Sequence, residues 1–173
     1  KEFQQAVKLD PKSAEAKRNL GQAYLSQGKI PDAIAEFRSA IELAPNWASP
    51  KNDLAWLLAT NPSAEVRDGK QAVELAEQAG KQAGSETPDF LDTLAAAYAE
   101  TGQFDKAATQ AEKAAELALS AGRSSQADEL RKRRDQYKAG QAYHVEPQAP
   151  PPPPVTESPP ATPNETQAPQ GGE

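Results

Sequence analysis

The feature that most constrains this chain is an internal period of 34 residues. Leu20 recurs as Leu54, and four residues near the start recur 34 positions later. These are Phe3, Ala6, Leu9 and Pro11, which return as Phe37, Ala40, Leu43 and Pro45. A period of this length is typical of stacked repeats, in which each unit buries its apolar face only against its neighbours.

Residues 14–45 show what one unit contains. A first amphipathic helix is predicted from Ala14 to Gln27, with Ser13 as its N-cap and Gly28 just after its end. A second helix is predicted from Pro31 to about Ala44, because its apolar residues recur at spacings of three, four and seven. The unit is therefore a helical hairpin.

The same pattern divides the rest of the chain. Residues 1–11 are interpreted as the end of the second helix of a preceding unit, and complete units follow at residues 12–46, 47–84 and 85–122. Ser49 and Thr87, each followed by proline, are predicted N-caps, and Asp68 is a third. A capping helix is predicted within residues 123–140, since the last unit of a solenoid needs a polar-backed cover.

The final stretch, residues 141–173, has a different composition. Ten of the chain's 16 prolines lie in its last 27 residues, together with Gln, Thr, Ser, Glu and Gly. Such a composition cannot bury a core, so we predict a disordered, proline-rich tail that acts as a spacer or solubilising segment.

Several signature residues in residues 14–45 resemble the tetratricopeptide repeat, a helix-turn-helix unit. They are L-G-x2-Y at residues 20–24, A-x3-F-x2-A at residues 33–40, and a closing proline at 45. The family's usual aromatic at the fourth place is absent, and Lys17 stands there. The resemblance covers residues 1 to about 140 and implies an all-α, right-handed superhelical solenoid.

The unit at residues 47–84 carries about five extra residues in its turn, at 62–67. It resembles a bacterial repeat subtype with LAWLLAT, here residues 54–60, followed by VRDG, here residues 66–69. The insert is either a specificity loop or a structural elbow of the subtype, and we favour the elbow.

Composition excludes several classes of function. The chain has no Cys and one His, at 144, which leaves little material for a metal site or acid–base catalysis. No cofactor is expected, and the chain is predicted not to be an enzyme. A net charge of −6 disfavours nucleic-acid binding, including at the basic run of residues 131–134, where nearby acids indicate a solvated cap surface. No apolar run is long enough to span a membrane.

The resemblance also implies a binding surface, because the first helix of each tetratricopeptide unit lines the concave groove. We expect nine groove residues from three such helices: Arg18, Asn19, Gln22, Asn52, Asp53, Trp56, Asp89, Asp92 and Thr93. Trp56 is either an anchor for a ligand or a residue that packs against the insert.

The predicted ligand is an extended peptide or partner segment of basic or polar character. Relatives that bind C-terminal carboxylates use Lys, Arg and Asn at these places, and only Arg18, Asn19 and Asn52 resemble that clamp. The other end of the groove is acidic, through Asp53, Asp89, Asp92 and Glu100.

The function expected from these observations is that of a non-catalytic protein-interaction scaffold. The alternative is that the repeats form the C-terminal appendage of a larger enzyme, since some bacterial multi-repeat proteins carry membrane-bound glycosyltransferase domains upstream. The chain begins without Met and inside a repeat, so we expect it to be a fragment of a longer protein. Its oligomeric state and its compartment, bacterial cytoplasm or periplasm, are left open.

Overall fold

The computed structural model describes residues 10–83 and 87–146. These residues form seven α-helices and no strand. The helices are α1 (Ala14–Ser26), α2 (Ile30–Leu43), α3 (Ala48–Thr60), α4 (Gly69–Ala83), α5 (Pro88–Glu100), α6 (Phe104–Ser120) and α7 (Ser124–Lys138). The predicted half-helix at the start of the chain and residues 147–173 of the predicted disordered tail lie outside the described residues. Residues 141–146 of that predicted tail are ordered instead, because they contact α5 and α3.

The helices are arranged as stacked hairpins. Helices α1 and α2, α3 and α4, and α5 and α6 pack as consecutive antiparallel pairs, and α7 packs on α6. The hairpins also pack on one another, through α2 with α3 and through α5 with both α3 and α4. The predicted all-α helical-repeat solenoid is therefore confirmed.

Local side-chain capping accounts for the starts of three helices, α1, α4 and α5. The Ser13 hydroxyl accepts a hydrogen bond from the Ala16 amide, and the Thr87 hydroxyl accepts one from the Phe90 amide. The Asp68 carboxylate likewise accepts from the Gln71 amide, at 3.0 Å. After α1, Gly28 has φ of 70°, a left-handed conformation that glycine adopts without strain.

The predicted N-cap at Ser49 is wrong. Helix α3 begins at Ala48, its N-cap is Trp47, and no side chain caps it. Pro50 is then the third helical residue rather than the first. It is still tolerated there, since amides of the first turn have no partner within the helix.

The core is built largely from small side chains, which lets the helices approach closely. Alanines 33, 40, 72, 79, 95, 107, 111 and 114 are fully buried. The large buried side chains are few, and Phe37 is one of them. Phe37 lies directly over Gly21 of α1, where a β-carbon would come within 2.7 Å of its ring. Helix α1 can therefore approach α2 this closely only with glycine at position 21.

The insert between α3 and α4 is bonded to the body of the protein. The Asp68 amide donates to the carbonyl of Leu58, and the Arg67 guanidinium donates to the carbonyls of Asn61 and Pro62. Arg67 also pairs with Glu100 of the next repeat, at 2.8 Å. These contacts hold the insert against the body, as expected of a structural elbow.

We predict opposite effects for alanine at two helical glycines. Gly21→Ala should destabilise the fold by about 1–3 kcal/mol, since the new methyl group would overlap the fully buried Phe37 ring. Gly80→Ala, in α4, places its methyl group in open space and should stabilise by about 0.5–1 kcal/mol through helix propensity. Urea denaturation followed by circular dichroism measures both changes. Equal shifts of the same sign would contradict this account of the α1–α2 interface.

Candidate peptide-binding groove

The first helices of the three hairpins surround one open hollow of about 370 Å³, which we call the polar hollow. Its lining consists of Gln22, Leu25, Asn52, Asp53, Trp56, Asp89, Asp92 and Thr93. Seven of the nine residues predicted for the groove are among these eight. They come together because α1, α3 and α5 each contribute one face to the hollow, and part of that face is buried, since Asp92 and Thr93 are 8% and 2% exposed.

The other two predicted residues, Arg18 and Asn19, are not part of the lining. The Arg18 guanidinium pairs with Asp53, with Nε 2.5 Å from Oδ2, and lies 5.6 Å from the centre of the Trp47 ring. Two residues predicted as separate ligand contacts therefore bind each other across the first two repeats. Asn19 is half-buried on α1.

The acidic end of the groove is largely neutralised within the chain. Asp92 is buried and accepts two hydrogen bonds from Arg133 of α7, at 3.0 and 2.8 Å. Asp89 accepts from Gln126 of the same helix at 2.8 Å. The ion pair with Arg133 thus offsets the charge of Asp92, whereas Asp89 is held by a neutral amide and keeps its charge.

Glu100, at the end of α5, is also engaged. One of its oxygens lies 2.8 Å from Arg67 Nε in the insert, and the other lies 2.7 Å from His144 Nε2. His144 belongs to residues 141–146, which follow α7 and which we call the C-terminal segment.

Burial raises the pKa of Asp92 to about 6, against the opposing influence of Arg133. The nearby carboxylates of Asp89 and Glu129 add to the upward shift. The Asp92–Arg133 pair therefore loses its negative partner when the pH falls through about 6.

Trp56 was predicted either to anchor a ligand or to pack against the insert, and the structure places it against the C-terminal segment instead. Its ring lies 6.0 Å, centre to centre, from the Tyr143 ring in the C-terminal segment, tilted by 41°. The Arg133 guanidinium lies 5.8 Å from the Trp56 ring and 5.0 Å from the Tyr143 ring. Cation–π contacts of this kind fix the orientation of aromatic rings at the edge of a groove.

Asn52 differs from its neighbours in the hollow. Its side-chain oxygen is buried and has no hydrogen-bond partner among the described residues. The Thr93 hydroxyl, in contrast, donates to the carbonyl of Asp89 one turn earlier in α5. The side-chain oxygen of Asn52 is thus a buried acceptor that receives no hydrogen bond from the described residues.

The basic run at residues 131–134 is mostly paired. Arg131 lies 3.5 Å from Asp128, Arg133 binds Asp92, and Arg134 binds Glu112 and Asp135. The described residues contain no cluster of His, Cys, Asp and Glu that could hold a metal ion. None of the helices in this part of the chain has the length and apolarity needed to cross a membrane.

Sequence analysis missed Arg133 and Tyr143 as groove residues. One signal was present for the second: Tyr143 and Val145 alternate with polar residues after the helix-ending Gly140. Such alternation indicates an extended segment with one side packed. No comparable signal exists for Arg133, one of several charged residues on α7.

Comparison with known proteins agrees with this geometry. A family model for the tetratricopeptide repeat matches residues 1–47. A crystal structure of MamA is 18% identical, with a TM-score of 0.54 over 79% of this chain and 85% of that one. The crystal structure of PilW, described as a widely conserved type IV pilus biogenesis factor, is 20% identical, with a TM-score of 0.58 over 79% and 67%. A second MamA structure is 19% identical, with a TM-score of 0.53 over 84% and 85%.

No curated protein matches the sequence. At these identities the structural similarities establish a shared helical-repeat fold. The family match shows a tetratricopeptide repeat in residues 1–47, and the remaining described helices share the helical-repeat fold of these structures.

We predict that Asp92 makes stability fall as the pH rises from about 4 to 7. Its pKa is about 6 in the folded chain and near 3.8 when unperturbed, so between these values the folded state binds a proton that the unfolded state does not. The contribution of Asp92 to the free energy of unfolding is therefore fully present below about pH 4 and is lost as the pH rises through 6. Asp92→Asn should remove that component.

The measurement is urea denaturation of both proteins at pH 4, 5, 6 and 7. The unfolding free energy of the variant minus that of the parent should increase with pH, by about 1–3 kcal/mol over the range. Asn also differs from a protonated Asp in its hydrogen bonding, which adds an offset that does not depend on pH, so the slope rather than the offset is diagnostic. A difference independent of pH would show that Asp92 ionises normally.

Proposed function

We propose that this chain is a non-catalytic protein-interaction scaffold that binds an extended segment of a partner protein in its groove. The observation that carries the proposal is the polar hollow itself. Eight side chains from three different repeats line it, and two of them, Asp92 and Thr93, are also buried. Tetratricopeptide repeats stack into extended surfaces of this kind, which suit elongated ligands.

The lining favours a polar segment. Gln22 is exposed at the rim, Asn52 and Asp89 add polar side chains, and Leu25 and Trp56 supply apolar surface. Since Asp53 and Asp92 are already paired with arginines, a strongly basic ligand would have to compete with those pairs. Dissociation constants in the micromolar range, about −8 kcal/mol, are expected for a short segment.

The chemistry of the lining argues against catalysis at this place. None of its eight residues is a cysteine, serine or histidine. Its most perturbed carboxylate, Asp92, is held by two hydrogen bonds from Arg133, and the Thr93 hydroxyl donates to the backbone. The lining provides contacts for binding and no activated nucleophile.

A peptide library tests the proposal without knowledge of the partner. Peptides selected by display against the chain would be labelled, and their affinity measured by fluorescence anisotropy. Gln22→Ala and Trp56→Ala should each weaken binding about 10-fold, since both side chains line the hollow and Trp is often dominant in binding surfaces. Thermal melts would show whether the half-buried Trp56 also affects stability; exposed Gln22 should not.

The matched control is Gln78→Ala, an exposed glutamine on α4 in the second layer of helices. It should leave affinity unchanged. Selection of no peptides above background, or of peptides that respond to Gln78→Ala and not to the two groove variants, would refute the proposal.

A further inference from the structure

We propose that the C-terminal segment is an internal ligand of the groove, and that the partner is an extended segment with the same chemistry, which displaces it. That chemistry is an aromatic residue followed two positions later by an aliphatic one, as in Tyr143 and Val145. This inference rests on the proposed function and names the class of ligand for it.

The segment crosses the C-terminal ends of the three groove helices in turn. Ala142 and Tyr143 pack against the buried cluster formed by α5, α6 and α7. His144 contacts Glu100 at the end of α5, and the Val145 amide donates to the carbonyl of Thr60 at the end of α3. Beyond this point Val145 and Glu146 border a hollow that includes residues of α1.

The backbone contact is one that any extended peptide could make. The last carbonyls of a helix have no partner within the helix, so the Thr60 oxygen is available to an amide from outside. The Val145 amide meets it at 2.8 Å. This bond positions a peptide in the groove and carries no information about its side chains.

Two side-chain positions supply the selectivity. The aromatic position is defined by Trp56 and Arg133, which both lie against the Tyr143 ring. The aliphatic position is a second hollow, which we call the apolar hollow, where Val145 lies near Leu25, Ile30 and Leu57. Leu25 and Trp56 belong to both hollows, so a segment seated here would continue into the polar hollow.

The internal segment fills its site incompletely. With Val145 and Glu146 in place, the apolar hollow still has a volume of about 420 Å³. A partner with a larger apolar residue at the Val145 position would bury more surface there. The internal segment has a compensating advantage, because its tether gives an effective concentration of about 1 mM even when its intrinsic fit is weak.

The test uses a labelled peptide with the sequence of residues 140–146, GQAYHVE, added to the full chain. The release variant is Tyr143→Ala with Val145→Asp, which removes the aromatic contact and puts a charge in the apolar hollow. We expect it to bind the peptide about 10-fold more tightly than the parent chain does, since the internal competitor is gone. A peptide carrying the same two changes should not bind.

The matched control variant is Gln141→Ala, at an exposed residue of the same segment that lines neither hollow. It should bind the peptide as weakly as the parent chain does. Hydrogen exchange followed by NMR supplies a second measurement. The Val145 amide should be protected in the parent chain, and its exchange should accelerate when excess peptide occupies the groove.

Two outcomes would overturn the inference. If the Val145 amide exchanges in the parent chain as fast as an unstructured one, the segment does not sit in the groove. If the amide is protected but the folded release variant fails to bind the peptide, the segment only covers the end of the core. Neither outcome decides the proposed function, which stands or falls on the response of selected peptides to Gln22→Ala and Trp56→Ala.

Discussion

The close approach of helices through small side chains is the constraint on which this structure depends. Phe37 is fully buried and its ring occupies the space that a β-carbon of residue 21 would need. The later hairpins achieve the same proximity with alanines, which bury little surface each but allow many backbone contacts. A repeat of this kind gains its stability from neighbours, so each hairpin depends on the next, and the last depends on α7.

Helix α7 therefore both covers the core of the last hairpin and contributes to the groove. Its Ala127, Leu130 and Tyr137 cover the apolar faces left by the last hairpin. Because the covering helix lies beside α5, its Arg133 reaches Asp92 in the groove and the rings of Trp56 and Tyr143. The element that ends the solenoid also sets the charge at one end of the groove.

Short-range capping residues account for the helix starts that the sequence predicted correctly. The boundaries of α4 and α5 follow from Asp68 and from Thr87 with Pro88, whose capping effects act within three residues. Seven of the eight lining residues were predicted through the resemblance to the tetratricopeptide repeat, whose first helices line the groove. Ser49 is not an N-cap because the helix begins one residue before it, at Ala48, and the preference for Ser at a helix start is only statistical.

The contacts that no local pattern could reveal join distant parts of the chain. Asp92 and Arg133 are 41 positions apart, and Trp56 and Tyr143 are 87 apart. The Arg67–Glu100–His144 series is of the same kind, since it joins the insert, the third repeat and the C-terminal segment. Glu100 is held from one side by the insert, so the carboxylate that His144 meets has a fixed position. The insert thus affects the groove through Glu100. Arg67 of the insert lines neither hollow, yet it helps to position the C-terminal segment by fixing the carboxylate that His144 contacts.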